Sequence, residues 1–238
     1  MKKALIVWGG WDGHEPELVA CRFEKVLLDE GFEVTVSDTL DALLDTERLN
    51  AIDLLIPVWT SGAITREQSK AAVEAVGMWG VGIAGCHGGM CDSFREDVEW
   101  QFMTGGQWVS HPGGDGVKYR VNIRHTSSPI TYGLPDFSVA SEHYYMHVDP
   151  AVEVLATTRY PVVNYYHAAN GEVDVPAAWT KRWGHGRVFY CSLGHHNDVF
   201  DDATPLELMR RGMLWAAEGK ALAKGTNPHQ YTSELQMY

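Results

Sequence analysis

The sequence predicts an α/β fold, a parallel-sheet three-layer sandwich with helices on both faces of the sheet. Two observations carry that expectation. Short continuous apolar runs alternate with longer segments of helical spacing through the first half of the chain, the order that gives parallel strands and right-handed crossovers. Polar, glycine-rich segments follow the apolar runs directly, where an open parallel sheet places its ligands.

Ala4–Trp8 is apolar throughout and stops at Gly9-Gly10, as a strand buried on both faces does. The run is too short for a secretory leader and soon meets Asp12. Glu15–Glu30 sets Leu18, Val19, Phe23, Val26 and Leu27 at helical spacing, with acids in the first turn and Gly31 as the stop. Glu33–Ser37 and Leu54–Trp59 read as the second and third strands. Thr65–Val76 reads as a helix opened by a capping box, Thr65 with Gln68. Val81–Cys86 is the fourth strand and Asp92–Met103 a further helix. The second half is less regular, with strands at Val117–Ile123, Val152–Ala156, Ala177–Thr180 and Arg187–Ser192 and a closing helix at Pro205–Glu218. Gly105 to Gly116 reads as a loop and Pro129–Pro135 as a turn. No repeat or linker divides the chain, so residues 1–220 are expected to form one domain. Residues 221–238 lack periodicity and read as a tail, or as an arm on a partner copy.

Composition narrows the function. The net charge is −12, from 31 acidic and 19 basic residues, which argues against a nucleic-acid partner because phosphate binding needs clustered basic charge. No stretch approaches the roughly 20 apolar residues that cross a bilayer. Cys21, Cys86, Cys91 and Cys191 form no C-x-x-C pair, so free thiols in a reducing compartment, the cytoplasm, are expected. Nine tryptophans, ten tyrosines and eleven histidines suit a pocket for a sugar ring, which stacks its C–H faces on aromatics and pairs its hydroxyls with imidazoles. An aromatic core has the same composition.

Three strand ends should converge. Gly9-Gly10-Trp11-Asp12-Gly13-His14 follows the first strand, Trp59-Thr60-Ser61-Gly62 the third, and Gly85-Cys86-His87-Gly88-Gly89 runs out of the fourth toward Asp92. Together they bring His14, Trp59, His87 and Asp92 within reach of one pocket. The first loop does not fit G-x-G-x-x-G, and no nucleotide cofactor is expected. The third has the form of a nucleophile elbow with His87 at its centre, which favours proton transfer or metal ligation over an acyl-enzyme. Ser141-Glu142-His143-Tyr144-Tyr145 adds a carboxylate between polar and aromatic neighbours; in an extended chain Glu142 and Tyr144 share one face, His143 and Tyr145 the other. Gly194-His195-His196 follows the last strand. Glu142 and His195 complete an acid–imidazole set with His14 and His87, whereas His125, His147, His167 and His185 read as incidental.

These segments resemble the ThuA-like (trehalose-utilisation) family, whose fold is that of class I glutamine amidotransferases, a flavodoxin-like arrangement. The resemblance runs from the first strand to about Gly219. Besides the segments above it is carried by Pro129-Ile130-Thr131-Tyr132-Gly133-Leu134, by Thr180–Tyr190, and by Arg211-Gly212 through Trp215-Ala216. It implies carbohydrate metabolism, on keto-sugars or disaccharides, beside a separate nicotinamide-dependent enzyme. In the amidotransferases a cysteine occupies the elbow; in ThuA-like proteins a histidine does, and His87 matches it. Gly88-Gly89 stands where such proteins often carry small non-glycine residues, and a widened pocket is expected.

The leading expectation is therefore an enzyme, of isomerase or lyase type, on a keto-sugar. His87 would be the base, Glu142 would orient it, and His14 and His195 would polarise the carbonyl. The same four residues, His14, His87, Glu142 and His195, are a candidate set for a divalent metal, Zn²⁺ or Mn²⁺. Trp11, Trp59 and Tyr145 would stack on the sugar, with Asp92 and His143 beside them. The alternative is a non-catalytic sugar-binding or regulatory module, and a third reading uses Cys86 or Cys91 as a thiol nucleophile. A homo-oligomer is expected from the aromatic content and the tail; no membrane partner is.

Overall fold

The computed structural model describes residues 1–124 and 127–223; His125 and the greater part of the 221–238 tail lie outside the described residues. Five parallel strands form one half of a nine-stranded sheet: β1 (Lys3–Gly10), β2 (Glu33–Ser37), β3 (Leu54–Thr60), β4 (Gly82–Cys86) and β11 (Gly186–Cys191). Their spatial order is β2-β1-β3-β4-β11. Four antiparallel strands extend it past β11: β10 (Val173–Trp183), β9 (Glu153–Tyr160), β6 (Val117–Ile123) and β7 (Phe137–Ser141). A separate ribbon pairs β5 (Gly106–Ser110) with β8 (Tyr145–Val148).

Alternation along the buried strands divides the core in two. On β1, Ala4 and Ile6 face one side, where α1 (Pro16–Asp29) and α6 (Ala203–Ala223) pack through Phe23, Leu27, Leu208 and Met213. Leu5 and Val7 face the other, against α3 (Arg66–Trp79) and α5 (Val98–Thr104), which contribute Ala72, Val76, Trp100 and Met103. The result is the three-layer sandwich of the class I glutamine amidotransferase-like folds. Gly212 lets α6 lie directly on β11, since a Cβ there would sit 2.2 Å from the Phe189 ring. The Thr65–Gln68 capping box opens α3 as expected.

Several elements depart from expectation. The helix expected over Asp92–Met103 is shortened to α5, and a single turn, α4 (Gly88–Cys91), precedes it; α2 is the short Thr46–Ala51. Between α4 and α5, Ser93 bridges to Ser61 and Phe94 takes a positive φ of 47°, and Asp97 restarts the helix by accepting the Trp100 N–H at 2.8 Å. The segment Gly105–Gly116, expected as loop, holds β5, and β7 and β8 occupy stretches whose residues do not alternate as strands. Among the described residues no helix is long and apolar enough to cross a membrane.

Candidate functional site

β1, β4 and β11 each end by delivering one imidazole to a common point. His14 closes a single 3-10 turn, Asp12–His14, which Glu15 terminates in a left-handed conformation before Pro16 starts α1. His87 stands between β4 and α4 with φ 47° and ψ −137°, a conformation costly for a non-glycine residue. Its backbone N–H donates to Cys191 O at 2.7 Å, fixing the elbow against β11. His195 follows β11 by way of Gly194. β3 contributes Thr60 and then Ser61, also at positive φ (58°). A left-handed non-glycine residue thus marks each of the loops after β1, β3 and β4.

Glu142 arrives from the opposite half, directly after β7. Its Oε2 lies 3.2 Å from His87 Nε2, 3.2 Å from His195 Nδ1 and 3.8 Å from His14 Nε2, and all four residues are buried. The four facing atoms lie within 4.8 Å of one another. The outward nitrogens are held. His87 Nδ1 lies 2.9 Å from the Ser192 carbonyl, which only accepts, so Nδ1 carries a proton, and Nε2 faces Glu142 Oε2. His14 Nδ1 lies 2.7 Å from Thr60 Oγ1. Burial lowers the pKa of His14 and takes that of His87 down to about 4, so both rings are neutral near pH 7. Burial alone would raise the Glu142 carboxyl, but the facing imidazoles hold it well below the usual carboxylate range.

One carboxylate facing three imidazole nitrogens fits a divalent cation. His195 Nδ1 is buried and lies 3.2 Å from Glu142 Oε2 without an aligned hydrogen bond, a geometry in which both atoms could face one shared ion. Imidazoles whose second nitrogen is held by a hydroxyl or a carbonyl are the usual arrangement around zinc.

A cavity of about 360 Å³ opens over the cluster. Of the residues singled out in the sequence, Trp11, His14, Asp92 and Glu142 line it. Trp11 is half exposed and meets the His14 ring edge-on at 4.6 Å. Asp92 is engaged by Arg95, with contacts of 2.6 and 2.9 Å. His87 and His195 do not line it; they form the floor beneath. Four expectations need correction. Trp59 turns away, its ring lying against Gly9 and Gly62, because strand alternation presents Thr60 to the site instead. His143 points to the far side of the antiparallel half, stacking on Tyr119 at 4.2 Å and pairing through Nε2 with Thr158 Oγ1 at 2.8 Å. Tyr145 lines a neighbouring cavity. Gly88 does not widen the pocket either: a Cβ there would meet the His14 ring at 2.7 Å, so the missing side chain makes room for an imidazole.

The structure adds residues that the sequence pattern does not single out. Tyr144 stacks on His87, with ring centroids 3.9 Å apart; the face it shares with Glu142 is the available sign. His111, just past β5, places Nδ1 2.7 Å from Glu142 Oε1 and stands on the cavity wall beside Trp108. Its glycine-rich surroundings read as loop and hide it. Cys86 and Cys91 are buried, and burial pushes both thiols up, which removes the thiolate that a nucleophile needs.

The family model described as ThuA, trehalose utilisation, matches residues 3–216. No curated protein sequence matches. Among solved structures, a protein described as ThuA-like from Bacteroides uniformis ATCC 8492 aligns with a TM-score of 0.72 at 21% identity, covering 90% of this chain and 91% of that one. A second, from Parabacteroides merdae ATCC 43184, gives 0.68 at 20%, over 92% and 90%. The glutaminase domain of a Trypanosoma brucei CTPS gives 0.54 at 12%, over 93% and 94%. At these identities the likeness is one of fold.

Proposed function

Because the chain belongs to the ThuA family, described as trehalose utilisation, we propose that it is an enzyme of carbohydrate metabolism that moves a proton on a keto-sugar at a divalent metal centre. The observation that carries the proposal is the convergence of three imidazoles and one carboxylate beneath a cavity walled by tryptophans. His14, His87, His195 and Glu142 would hold Zn²⁺ or Mn²⁺, which would supply Lewis acidity toward an oxygen of the sugar.

His87 is too deep to reach a substrate carbon, and in this reading it anchors the cluster. The base is His111. Its ring stands on the cavity wall, with Nδ1 2.7 Å from Glu142 Oε1, a contact that would orient it. His111 removes the hydrogen of the hydroxyl-bearing carbon next to the ketone and returns it to the former carbonyl carbon. The hydroxyl proton moves between the two oxygens, so ketone and alcohol exchange places with no net oxidation. Trp11 and Trp108 stack on the ring, and Arg95, held by Asp92, donates to its hydroxyls.

The test is elemental analysis of the purified protein, followed by NMR of a 3-keto disaccharide in deuterated water. Bound zinc or manganese near one equivalent, and solvent deuterium entering beside the ketone, support the proposal. Sugar binding without exchange in the metal-loaded protein would leave a non-catalytic binding module in its place. We also propose a cytoplasmic location and self-association through exposed aromatics such as Tyr132 and Tyr166; sedimentation velocity reads the latter.

A further inference from the structure

A second cavity, of about 770 Å³, adjoins the one over the cluster and shares Trp108 and His111 with it. β5 and β8 supply one wall; Tyr160, at the end of β9, and the Val163–His167 loop supply the rest. Its character differs from that of the first cavity. The Tyr145 and Tyr160 rings meet edge-on at 4.8 Å, and Tyr145 meets His167 likewise at 4.9 Å. Their polar tips are already engaged: Tyr145 Oη lies 3.2 Å from His167 Nε2, and Tyr160 Oη lies 2.9 Å from Ser110 Oγ. A second sugar would need partners for several hydroxyls, and here two phenols are committed to the wall itself. What remains is mainly aromatic and aliphatic surface, Val163 and Val109 included, with Asn164, His147 and the Tyr165 hydroxyl as its polar groups.

Resting on the sugar reading of the neighbouring cluster, we propose that this cavity seats an apolar ring joined to the reacting sugar, so that the preferred substrate is an aryl glycoside. The sugar lies over the cluster, the glycosidic link passes between Trp108 and His111, and the aryl group stacks against Tyr145. An apolar pocket of this size lies within the range that small-molecule sites occupy, roughly 300–1,000 Å³.

Calorimetric titration of the full chain with phenyl, methyl and glucosyl glycosides of one sugar, and with phenol alone, tests it. The expected result is phenyl glycoside at least ten-fold tighter than either of the others, and phenol bound on its own. In Tyr165→Ala, at an exposed position on the cavity rim, and in Tyr145→Ala, the phenyl-to-methyl preference should fall toward one. Glycosides bound with no phenyl preference would overturn this inference and leave the sugar reading standing. Phenol bound with no glycoside bound at all would sink the sugar reading and retain an aromatic site. A dimer in sedimentation that binds neither phenol nor phenyl glycoside would overturn the inference by filling the cavity with a second copy.

Discussion

The two halves of the sheet reach the cluster by different means. In the parallel half, β4 and β11 end in register at Cys86 and Cys191, β1 runs slightly further, and each delivers a histidine through a loop only a few residues long. Strained backbone at Glu15 and His87 fixes the first two loops, and Thr60 and Ser192 hold the outward nitrogens of His14 and His87. In the antiparallel half, Glu142 comes off the last strand of the sheet and is steadied by its own main chain, where Tyr119 Oη donates to the Glu142 carbonyl at 2.9 Å. The parallel half therefore supplies the imidazole set together with Trp11, and the antiparallel half supplies the carboxylate. Precision resides in the first and selectivity in the second.

The sharpest way to break that division is to remove the charge. Glu142→Gln keeps the shape of the side chain and should lower zinc affinity by about a thousand-fold, ~4 kcal/mol, in a chelator-competition titration. Folding without metal should also be weakened near neutral pH, because the carboxylate that the imidazoles hold well below its ordinary range stabilises the fold there. Unchanged affinity would mean that the two halves do not share a centre.

A second comparison separates the supports. Thr60→Val removes the partner of His14 Nδ1 from the parallel side and should cost roughly 10- to 100-fold in metal affinity, about 1.4–2.7 kcal/mol. Tyr119→Phe removes the support of Glu142 from the antiparallel side and should cost less, about five-fold, because it acts on the backbone rather than on a ligating atom. The same titration on both variants ranks them. If Tyr119→Phe proved the costlier, the carboxylate and not the imidazoles would be the strained partner.

The same division explains what can be read in the sequence. Parallel strands buried on both faces write themselves as apolar runs, so β1, β3 and β4 and the loops after them are legible, and His14 and His87 with them. Half-buried antiparallel strands carry mixed residues: β7, Phe-Ser-Val-Ala-Ser, and β8, Tyr-Met-His-Val, lack a clean alternation. With β5 hidden between glycine pairs, nothing in the pattern marks His111. Composition draws His143 and Tyr145 toward the pocket, although alternation gives that face to Glu142 and Tyr144, and the local geometry is the better guide.

The smallest effect concerns the seam between the halves. Arg211 on α6 donates to the Tyr132 carbonyl at 2.6 Å, in the turn between β6 and β7, and Glu207 holds both Arg211 and Arg210 at 2.6 Å. These hydrogen bonds, that from Arg210 first, hold the Glu207 carboxyl down to about 2, against an ordinary value of 4.5. A depressed carboxylate stabilises the fold at every pH above its unfolded value, and that contribution fades as pH falls from 4.5 toward 2. With the side chain partly solvated, the contribution is ~0.5–1 kcal/mol rather than the full shift. Denaturant unfolding at about pH 7 should then show Glu207→Gln weaker by that amount, and near pH ~2.5 the gap between variant and parent should narrow. A gap that held constant with pH would assign the effect to packing instead, and the seam would owe nothing to charge.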